Sequence, residues 1–287
     1  MTVHPKLVWR VECRLGEGPV WLHEPGILIF VDIKGGAIHH FNPATGHRES
    51  KSIGGMPSFV MPNADGGLLV GSHNSIHLLL DGHIETLVTI PEPVHNRTND
   101  ATVGPDGRLW FGTMDDNETL PTGAIWCLDH GKLRRACGEA VVTNGPALSG
   151  DGRWLYYADS GARTIWKYRI ESDGMPASGV EFLRLSEADG YPDGIIVDAE
   201  DCLWVALWDG WGVRRYSAEG KLLMHVPLPC ARVTKVALGG ADLRTAYVTT
   251  ARIGLSANEC MQQPLAGSLF AFEAPAPGRP LPQVRLA

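Results

Sequence analysis

A short β-rich run recurs about every 40 to 48 residues along the chain, and this spacing constrains the fold more than any other feature. Aliphatic and aromatic residues typical of buried strands dominate each run. A second run follows each one, with an apolar residue near its start and another three or four places on, and predicts the next strand of the same unit. The six recurring runs occupy residues 27–32, 68–72, 109–113, 155–159, 203–207 and 246–250.

Turn residues separate the runs in the same order in each unit. Asn-Ala-Asp-Gly at 63–66, Pro-Asp-Gly at 105–107 and Gly-Asp-Gly at 150–152 predict hairpins that join a preceding strand to a recurring run. Further turn signals and a more polar segment follow the second run, which gives each unit four strands. Six units of four strands predict an all-β, six-bladed β-propeller. No low-complexity linker divides residues 1–287, so we expect a single domain.

A propeller needs a strand that closes the ring. The segment 7–13 has a strand-like pattern and precedes the first full unit. Pairing this segment with the last unit would remove an exposed sheet edge. We therefore expect the amino-terminal segment to complete the last blade.

Charge and composition exclude several classes of partner. The chain has 25 basic and 32 acidic residues and no basic stripe, which argues against nucleic acid as a partner. No apolar stretch reaches the roughly 20 residues of a membrane span, and the first residues lack the pattern of a signal peptide. We expect a cytoplasmic protein with no membrane partner, as a monomer or small homo-oligomer.

The cysteines and histidines give no metal-binding pattern. The six cysteines have no CxxC spacing, so neither disulfides nor a thiolate zinc site is expected. His39 and His40 are adjacent on a predicted strand, so their side chains point to opposite faces. We expect the eleven histidines at the surface or at strand edges.

Polar residues recur at one phase of the repeat. The innermost strand of each blade should begin about 10 to 12 residues before the recurring run and should line the central channel. Equivalent positions from different blades therefore converge on the axis. The residues at this phase are Glu17, Pro57 or Ser58, Asn99, Asn144, Asp193, and Thr234 or Lys235.

Three of these residues have a local alternative. Asn144-Gly145 and Asp193-Gly194 are dipeptides typical of tight hairpin turns, and Glu17 fits an ordinary solvated loop. Both blades already have a hairpin turn, at 150–152 and 199–201, so the earlier Asn and Asp have no such turn to make. Their shared phase favours a common site.

Glu17, Asn144 and Asp193 together form an all-oxygen set of two carboxylates and an amide carbonyl. Such a set suits Ca²⁺, Mg²⁺ or Mn²⁺, and carboxylate sites also accept Zn²⁺ and Fe²⁺. Three protein ligands leave coordination positions open for water and substrate, as in a catalytic site. The sequence predicts one divalent metal ion at the central channel.

Six motifs stand in a fixed order along the chain. They are Leu-Gly-Glu-Gly-Pro-Val-Trp at 15–21, Asn-Arg-Thr-Asn-Asp at 96–100, Gly-Arg-Leu-Trp-Phe-Gly-Thr-Met at 107–114, Thr-Asn-Gly-Pro-Ala-Leu-Ser at 143–149, Tyr-Pro-Asp-Gly-Ile at 191–195 and Gly-Gly-Ala-Asp-Leu-Arg at 239–244. Together they closely resemble the SMP-30/gluconolactonase/LRE family, which includes regucalcin and bacterial sugar lactonases. The resemblance runs from about residue 12 to 272, and the ending, at 250–256 and 263–267, looks most like the bacterial xylonolactonase and gluconolactonase branch.

The resemblance implies roles for particular residues. Glu17, Asn144 and Asp193 would bind one divalent metal, and Asp193 would also assist as a base. Arg97 and Asn99 would touch oxygens of the substrate. Where some members carry an acidic sugar contact, this chain has Asn117, with Glu118 beside it, and we expect substrate contacts from both.

The expected activity is metal-dependent hydrolysis of a sugar lactone, such as gluconolactone or xylonolactone, to the aldonic acid. One alternative is a calcium-binding scaffold without enzymatic activity. Another keeps the chemistry but takes a 6-sulfonated gluconolactone, an organophosphate or a lipophilic lactone. A sulfonate would need an additional basic residue, and the candidates are Arg163, Arg214, Arg232 and Lys235.

Other segments are expected near the channel mouth. Residues 115–122 and 251–266 are candidate lids. Tyr191, Trp208, Trp211 and Asp100 are candidate contacts for substrate hydroxyls. Blade packing is expected instead for Trp110, Trp126, Trp166 and Trp204.

Overall fold

Six antiparallel sheets of four strands each make up the fold of residues 3–287, which a computed structural model describes. The sheets follow one another along the chain, and the innermost strand of each packs against the innermost strand of the next. The innermost strands of the last and first blades also pack together, so the ring is closed. The six-bladed β-propeller predicted from the repeat is confirmed.

The first strand of the chain, β1 (Lys6–Trp9), belongs to the last blade. Twelve strands form blades 1 to 3, with the innermost strand of each blade first in the chain. They are β2 (Gly16–Leu22), β3 (Ile27–Asp32), β4 (Ala37–Asn42), β5 (His47–Ser52), β6 (Pro57–Pro62), β7 (Leu68–Ser72), β8 (Ser75–Leu80), β9 (His83–Thr89), β10 (Asn96–Val103), β11 (Leu109–Asp115), β12 (Gly123–Asp129) and β13 (Lys132–Ala140).

Blades 4 to 6 continue the same order, and one short helix, α1 (Ala257–Gln262), lies between the last two strands. A single 3₁₀ turn covers Glu187–Asp189. The remaining strands are β14 (Thr143–Leu148), β15 (Trp154–Asp159), β16 (Thr164–Arg169), β17 (Val180–Arg184), β18 (Tyr191–Val197), β19 (Leu203–Trp208), β20 (Gly212–Tyr216), β21 (Leu222–Pro227), β22 (Val233–Gly239), β23 (Thr245–Thr250) and β24 (Leu269–Glu273).

The amino-terminal strand closes the ring. β1 pairs antiparallel with β24 and becomes the outermost strand of blade 6, which confirms the expected closure. The strand is shorter than the segment 7–13. A strand from the opposite end of the chain covers the edge of β24, so the first and last segments cannot separate without breaking this sheet.

Burial falls from the innermost to the outermost strand. Every residue of β6 is buried, whereas every residue of β5, with the sequence His-Arg-Glu-Ser-Lys-Ser, is exposed. An inner strand is covered on both faces by neighbouring blades, so it cannot alternate polar and apolar residues without burying polar groups. A polar residue on an inner strand therefore needs a partner or a function.

Each inner strand has a β-bulge at the phase singled out in the sequence. Between Glu17 and Val20 the inner strand has one residue more than its partner, and the other five inner strands have the same irregularity. A bulge locally redirects side chains. The Asn144-Gly145 and Asp193-Gly194 dipeptides lie inside β14 and β18 at these bulges and make no hairpin turn.

Large side chains fill the space between blades. Trp21 of blade 1 stacks on Tyr247 of blade 6, with ring centroids 5.8 Å apart, and Phe59 of blade 2 packs against Phe111 of blade 3 at 6.0 Å. Trp110 and Trp204 are among the largest fully buried side chains, as expected for blade packing.

Two expectations about cysteine and histidine have different outcomes. All six cysteines are free in the structure. The expectation that the histidines lie at the surface or at edges is wrong for His39, which is buried beside the rings of Trp9 and Phe30. The extra strand β1 covers this face of β4, and no local sequence pattern indicates that.

In residues 3–287 the structure has no helix of the length and apolarity that a membrane crossing requires.

Candidate metal and substrate site

The bulges turn polar side chains of several blades into one cavity at a mouth of the central channel. The cavity has a volume of about 540 Å³. Glu17, Asn144 and Asp193 line it and are each at most 6% exposed, as they face the channel and not the outer surface. The other lining residues are Leu15, Lys34, Arg97, Asn99, Met114, Glu118, Val141, Val142, Ser160, Gly161, Tyr191, Trp208, Asp209, Arg232, Ile253 and Gly254.

Glycines beside the polar residues let the strands approach one another. Gly18 has a φ of +52°, and a Cβ there would lie 3.0 Å from the carbonyl oxygen of Ser58 on the next blade. Gly145 has a φ of +73°, and a Cβ would lie 2.7 Å from Ile195 Cγ1. Any other residue would strain the backbone or push the blades apart. The Glu-Gly and Asn-Gly pairs therefore serve the bulges of inner strands.

Two buried carboxyl groups lie close together in the cavity. Burial raises the pKa of Glu17 to about 8, and the neighbouring Asp100 carboxylate adds to the effect. Burial also raises the pKa of Asp193, and the charge of Glu17 raises it further. The Gly18 amide donates to Glu17 Oε2 at 2.9 Å, which stabilises the carboxylate only in part. A cation between the two groups would remove both penalties.

Asn144 presents its carbonyl oxygen to the same region. Asn99 Nδ2 donates to Asn144 Oδ1 at 2.8 Å, and Asn144 Nδ2 donates to Ser160 Oγ at 3.0 Å. A carbonyl oxygen has two lone pairs, so Oδ1 can still bind a cation. Two carboxylates and this oxygen form a hard ligand set, and the residues fit a divalent metal ion.

Arg97 lies in the cavity wall with most of its donors occupied. Its Nε donates to Asp116 Oδ1 at 2.7 Å, and its Nη1 donates to Asn99 Oδ1 at 2.7 Å and to the Thr98 carbonyl at 3.0 Å. Among the residues that the structure describes, Nη2 has no hydrogen-bond partner, so it is free to donate to a ligand.

Asn99 is more fully engaged than the sequence suggested. Its amide nitrogen donates to the Thr143 carbonyl and to Asn144 Oδ1, both at 2.8 Å, and its oxygen accepts from Arg97. Both amide hydrogens are therefore used, and one lone pair of the oxygen remains for a substrate. Its role as a substrate contact stays a prediction.

The segment after β11 separates the two remaining predicted contacts. Glu118 lines the cavity, whereas Asn117 does not, and the backbone and side-chain nitrogens of Asn117 face Asp115 Oδ1 at 3.1 and 3.5 Å. Asp115 also accepts hydrogen bonds from Thr119 and Leu120. These bonds give the candidate lid 115–122 a formed turn.

Three residues at the site were not found from the sequence. Lys34, from the turn between β3 and β4, donates to Asp116 Oδ1 at 2.6 Å, so one oxygen holds both Lys34 and Arg97. Burial opposes the effect, yet these two hydrogen bonds lower the pKa of Asp116. Ser160, after β15, contacts Asn144. Lys34, Asp116 and Ser160 lie in the loops that follow the second strands of their blades, outside the phase of the polar positions. The sequence singled out Asp116 only as part of the candidate lid 115–122.

The other two positions at the repeat phase have structural partners. Ser58 is fully buried, and its hydroxyl donates to Thr98 Oγ1 at 2.8 Å. Lys235 is paired with Asp100, and its Nζ also donates to the Ala101 carbonyl at 3.2 Å. Asp100 does not line the cavity, and its Oδ2 has no hydrogen-bond partner in residues 3–287.

Some of the candidate aromatic contacts and basic residues line the cavity, and others do not. Tyr191 and Trp208 line the cavity, whereas Trp211 is 46% exposed and does not. Of the four basic candidates, Arg232 alone lines the cavity; its guanidinium stacks on Trp208 and pairs with Asp209. Ile253 and Gly254 bring the candidate lid 251–266 to the rim.

Cys13, Asp32 and His39 form a separate buried group, the one set of three His, Cys, Asp or Glu side chains with metal-like spacing in residues 3–287. Asp32 accepts hydrogen bonds from the backbone amides of Arg14, Leu15 and Gly35, each at 2.9 Å. Both of its oxygens are therefore occupied in holding loops. We assign the group to packing between blades 6 and 1.

A second cavity, of about 380 Å³, lies at the opposite part of the channel. The carboxyl halves of the inner strands line it, together with residues 278–282 of the carboxyl-terminal segment. Its lining is mostly apolar, and it contains none of Glu17, Asn144 and Asp193. The cavity lined by Glu17, Asn144 and Asp193 is therefore the candidate metal and substrate site.

The chain is similar to proteins of several organisms over most of its length. It is 34% identical over 281 residues to a 6-deoxy-6-sulfogluconolactonase of Pseudomonas putida, with 95% of this chain and 96% of that protein covered. It is 33% identical over 276 residues to the pentonolactonase XacC of Haloferax volcanii, covering 93% and 94% of the two chains.

A solved structure gives the same relation at the level of the fold. The calcium-binding protein regucalcin from Agrobacterium tumefaciens superposes with a TM-score of 0.95, at 25% identity, over 100% of this chain and 99% of that one. The sequence pattern of the SMP-30/gluconolactonase/LRE-like region matches residues 15–252. This chain belongs to the SMP-30/gluconolactonase/LRE-like family.

Proposed function

We propose that this protein hydrolyses a sugar lactone to the open-chain acid and that it needs a divalent metal ion. The carrying observation is the juxtaposition of Glu17, Asn144 and Asp193, from three blades, in a cavity with room for a small sugar. Relatives named as lactonases cover nearly the whole chain, which supports the same reaction class.

Glu17, Asn144 and Asp193 would hold the ion, which supplies a Lewis acid for the lactone carbonyl and lowers the pKa of water. Arg97 is fixed by Asp116 and Asn99, so its free Nη2 can donate to the carbonyl or ring oxygen of the lactone. Charge that develops on this oxygen during attack would be stabilised without movement of the arginine. We propose Asp193 as the acceptor of the proton from the attacking water.

The charges of the cavity favour a neutral lactone as substrate. A divalent ion would offset Glu17 and Asp193, and Asp116 is shared between Lys34 and Arg97. Arg232 is paired with Asp209. Two cations share the single carboxylate of Asp116, and Glu118, which also lines the cavity, offsets the positive charge left over, so the ionic groups of the described residues are close to balance. Hydroxyl groups of an aldonolactone would find Glu118, Tyr191 and Trp208 in the wall.

A sulfonated lactone is the second candidate, and the position of Arg232 is what favours it. The Nε atom of Arg232 contacts Asp209 Oδ1 at 3.2 Å, its guanidinium stacks on Trp208, and the residue lines the cavity. The other basic candidates are less suitable: Arg214 pairs with Asp189, Arg163 stacks on Tyr191, and Lys235 pairs with Asp100. Arg232→Gln would lower activity on a sulfonated lactone much more than on a neutral one if this candidate is right.

The test is a pH-indicator assay of acid release from glucono-, xylono- and 6-sulfogluconolactone, with spontaneous hydrolysis subtracted. We expect metal-dependent turnover that chelation removes and that added divalent ion restores. Asp193→Ala should abolish turnover. Metal binding without turnover of any lactone would instead favour a calcium-binding scaffold, and undiminished activity of Asp193→Ala would refute the assigned site.

A further inference from the structure

The hydroxyl of Ser160 joins the strands that carry two of the proposed metal ligands. Ser160 directly follows β15 and is 9% exposed. Its Oγ accepts a hydrogen bond from Asn144 Nδ2 at 3.0 Å and donates one to the Pro192 carbonyl at 2.6 Å. Asn144 lies on β14 of blade 4, and Pro192 directly precedes Asp193 on β18 of blade 5. One hydroxyl therefore bridges the two blades.

The donor direction along this chain of hydrogen bonds is fixed at both ends. The chain begins at Arg97, which can only donate, and passes through Asn99 and Asn144 to Ser160. It ends at the Pro192 carbonyl, which can only accept. Every amide between these ends must present its oxygen towards Arg97 and its nitrogen towards Ser160. The orientation of Asn144 thus follows from chemistry.

We propose that Ser160 is a positioning residue that holds the carbonyl oxygen of Asn144 towards the metal ion and keeps the backbone before Asp193 in register with it. This inference rests on the proposed function, because it assumes that Asn144 and Asp193 bind an ion. Ser160 itself need not touch the ion or the substrate. A residue that orients a metal ligand contributes to affinity although it makes no bond to the metal.

Removal of the hydroxyl has a specific consequence for Asn144. Its buried Nδ2 would lose its acceptor, and the amide would then be held only through Oδ1, by Asn99. An amide held at one end can tilt and turn the remaining lone pair of Oδ1 away from the cation. We expect Ser160→Ala to weaken binding of Mn²⁺ and Ca²⁺ by about 10- to 100-fold.

The experiment is calorimetric titration of the full-length, metal-free protein with Mn²⁺ and with Ca²⁺. Ser149→Ala is the matched control, because Ser149 is also buried in blade 4, donates to Asp151 and accepts from the Trp154 amide. It lines the second cavity and touches no proposed ligand. The control should bind both ions like the wild type. Thermal unfolding in chelator establishes that each variant is folded.

A double substitution separates orientation from a general structural role. In Asn144→Asp the side chain has no N–H group, so Ser160 Oγ can no longer hold it as a hydrogen-bond acceptor. Ser160→Ala added to Asn144→Asp should therefore change metal affinity by less than about threefold, whereas a general distortion of the blade would reduce affinity equally in both backgrounds.

The outcomes distinguish this inference from the proposed function. A wild-type protein that binds neither ion would overturn both. A wild type that binds and loses binding in Asp193→Ala, while Ser160→Ala binds unchanged, would overturn only the role of Ser160. Equal losses from Ser160→Ala in both backgrounds would overturn it as well.

Discussion

The two ends of the central channel are built from the same strands but differ in chemistry. In β2, Glu17 faces the polar cavity whereas Val20 faces the other one, and in β18 Asp193 and Val197 divide in the same way. The bulge of each inner strand lies between the two halves. The carboxyl-terminal segment lines the apolar cavity only. One repeat unit therefore supplies ligands at its first half and stability at its second half.

The largest expected effect comes from a proposed ligand on β2. Glu17→Gln removes a negative charge from the ion site at nearly constant volume. We expect activity on a sugar lactone to fall by about 10³-fold or more, since the contribution of a bound ion is several kcal/mol. The measurement is the initial rate of acid release with saturating divalent ion.

Val20→Ala is the control from the other half of the same strand. It should lower the free energy of unfolding by about 2 kcal/mol and leave the rate of hydrolysis nearly unchanged. Equal losses of activity in both variants would contradict the division of the strand.

The two buried carboxyl groups at the polar end should make the metal-free protein less stable as pH rises. The pKa of Glu17 is about 8 in the fold and 4.5 in an unfolded chain, so between these values the folded state binds more protons. The free energy of unfolding should therefore fall by a few kcal/mol from about pH 5 to pH 8, and the pKa of Asp193, which is raised too, acts in the same direction.

Urea denaturation in chelator at several pH values measures this slope, and a saturating divalent ion should remove most of it. Glu17→Gln serves as the comparison and should show a shallower slope. A metal-free stability that rises over this range would show that the pKa values of Glu17 and Asp193 are not raised in the fold.

Breaking one ion pair at each end of the channel should give smaller effects, on activity at the polar end and on stability at the apolar end. Asp116→Ala leaves Arg97 without the acceptor of its Nε, and Arg97 is only 4% exposed. We expect kcat/KM to fall by about tenfold, because the free Nη2 of Arg97 is no longer held in place. Lys34→Met should cost less, since Arg97 keeps its bond to Asp116.

The counterpart at the apolar end is Arg279, which donates to the Ala199 carbonyl and to Asp201 Oδ1, each at 3.0 Å. Arg279→Ala should lower the free energy of unfolding by about 1 kcal/mol without a change in kcat/KM. A loss of activity here as large as that of Asp116→Ala would mean that the two ends are coupled.

The smallest effect is expected from Asn117→Ala. Asn117 does not line the cavity, so activity should stay within about twofold of the wild type. Glu118→Gln, at a lining position, should change the KM for a polyhydroxylated lactone more. The check is a parallel measurement of KM and kcat on gluconolactone and xylonolactone. A tenfold loss in Asn117→Ala would restore the contact expected from the sequence.

The repeat was enough to predict the fold because every blade has the same order of four strands and therefore the same pattern of buried and exposed residues. The six recurring runs became β3, β7, β11, β15, β19 and β23, each the second strand of its blade in residues 3–287. Glu17, Asn144 and Asp193 were brought to one cavity because their phase in the repeat is also their position along an inner strand.

The residues that contact Arg97 and the proposed metal ligands could not be predicted from the repeat. Asp116 and Ser160 lie in loops whose course depends on the neighbouring blades, and contacts between blades leave no periodic signal. Asn117 and Glu118 are adjacent in sequence, yet the turn held by Asp115 sends only Glu118 to the cavity. The buried position of His39 depends on β1, which comes from the start of the chain and pairs with its end.

The sequence by itself determined the number of blades, the phase of the polar positions and the hard-oxygen character of the proposed ligands, because these follow from periodicity and residue type. Only the tertiary structure decided that Asn99 spends its amide hydrogens on Asn144 and Thr143, that Lys235 neutralises Asp100, and that Arg97 keeps one free nitrogen. Hydrogen-bond partners depend on distance and direction in space, and residues more than forty positions apart meet only when the ring has closed.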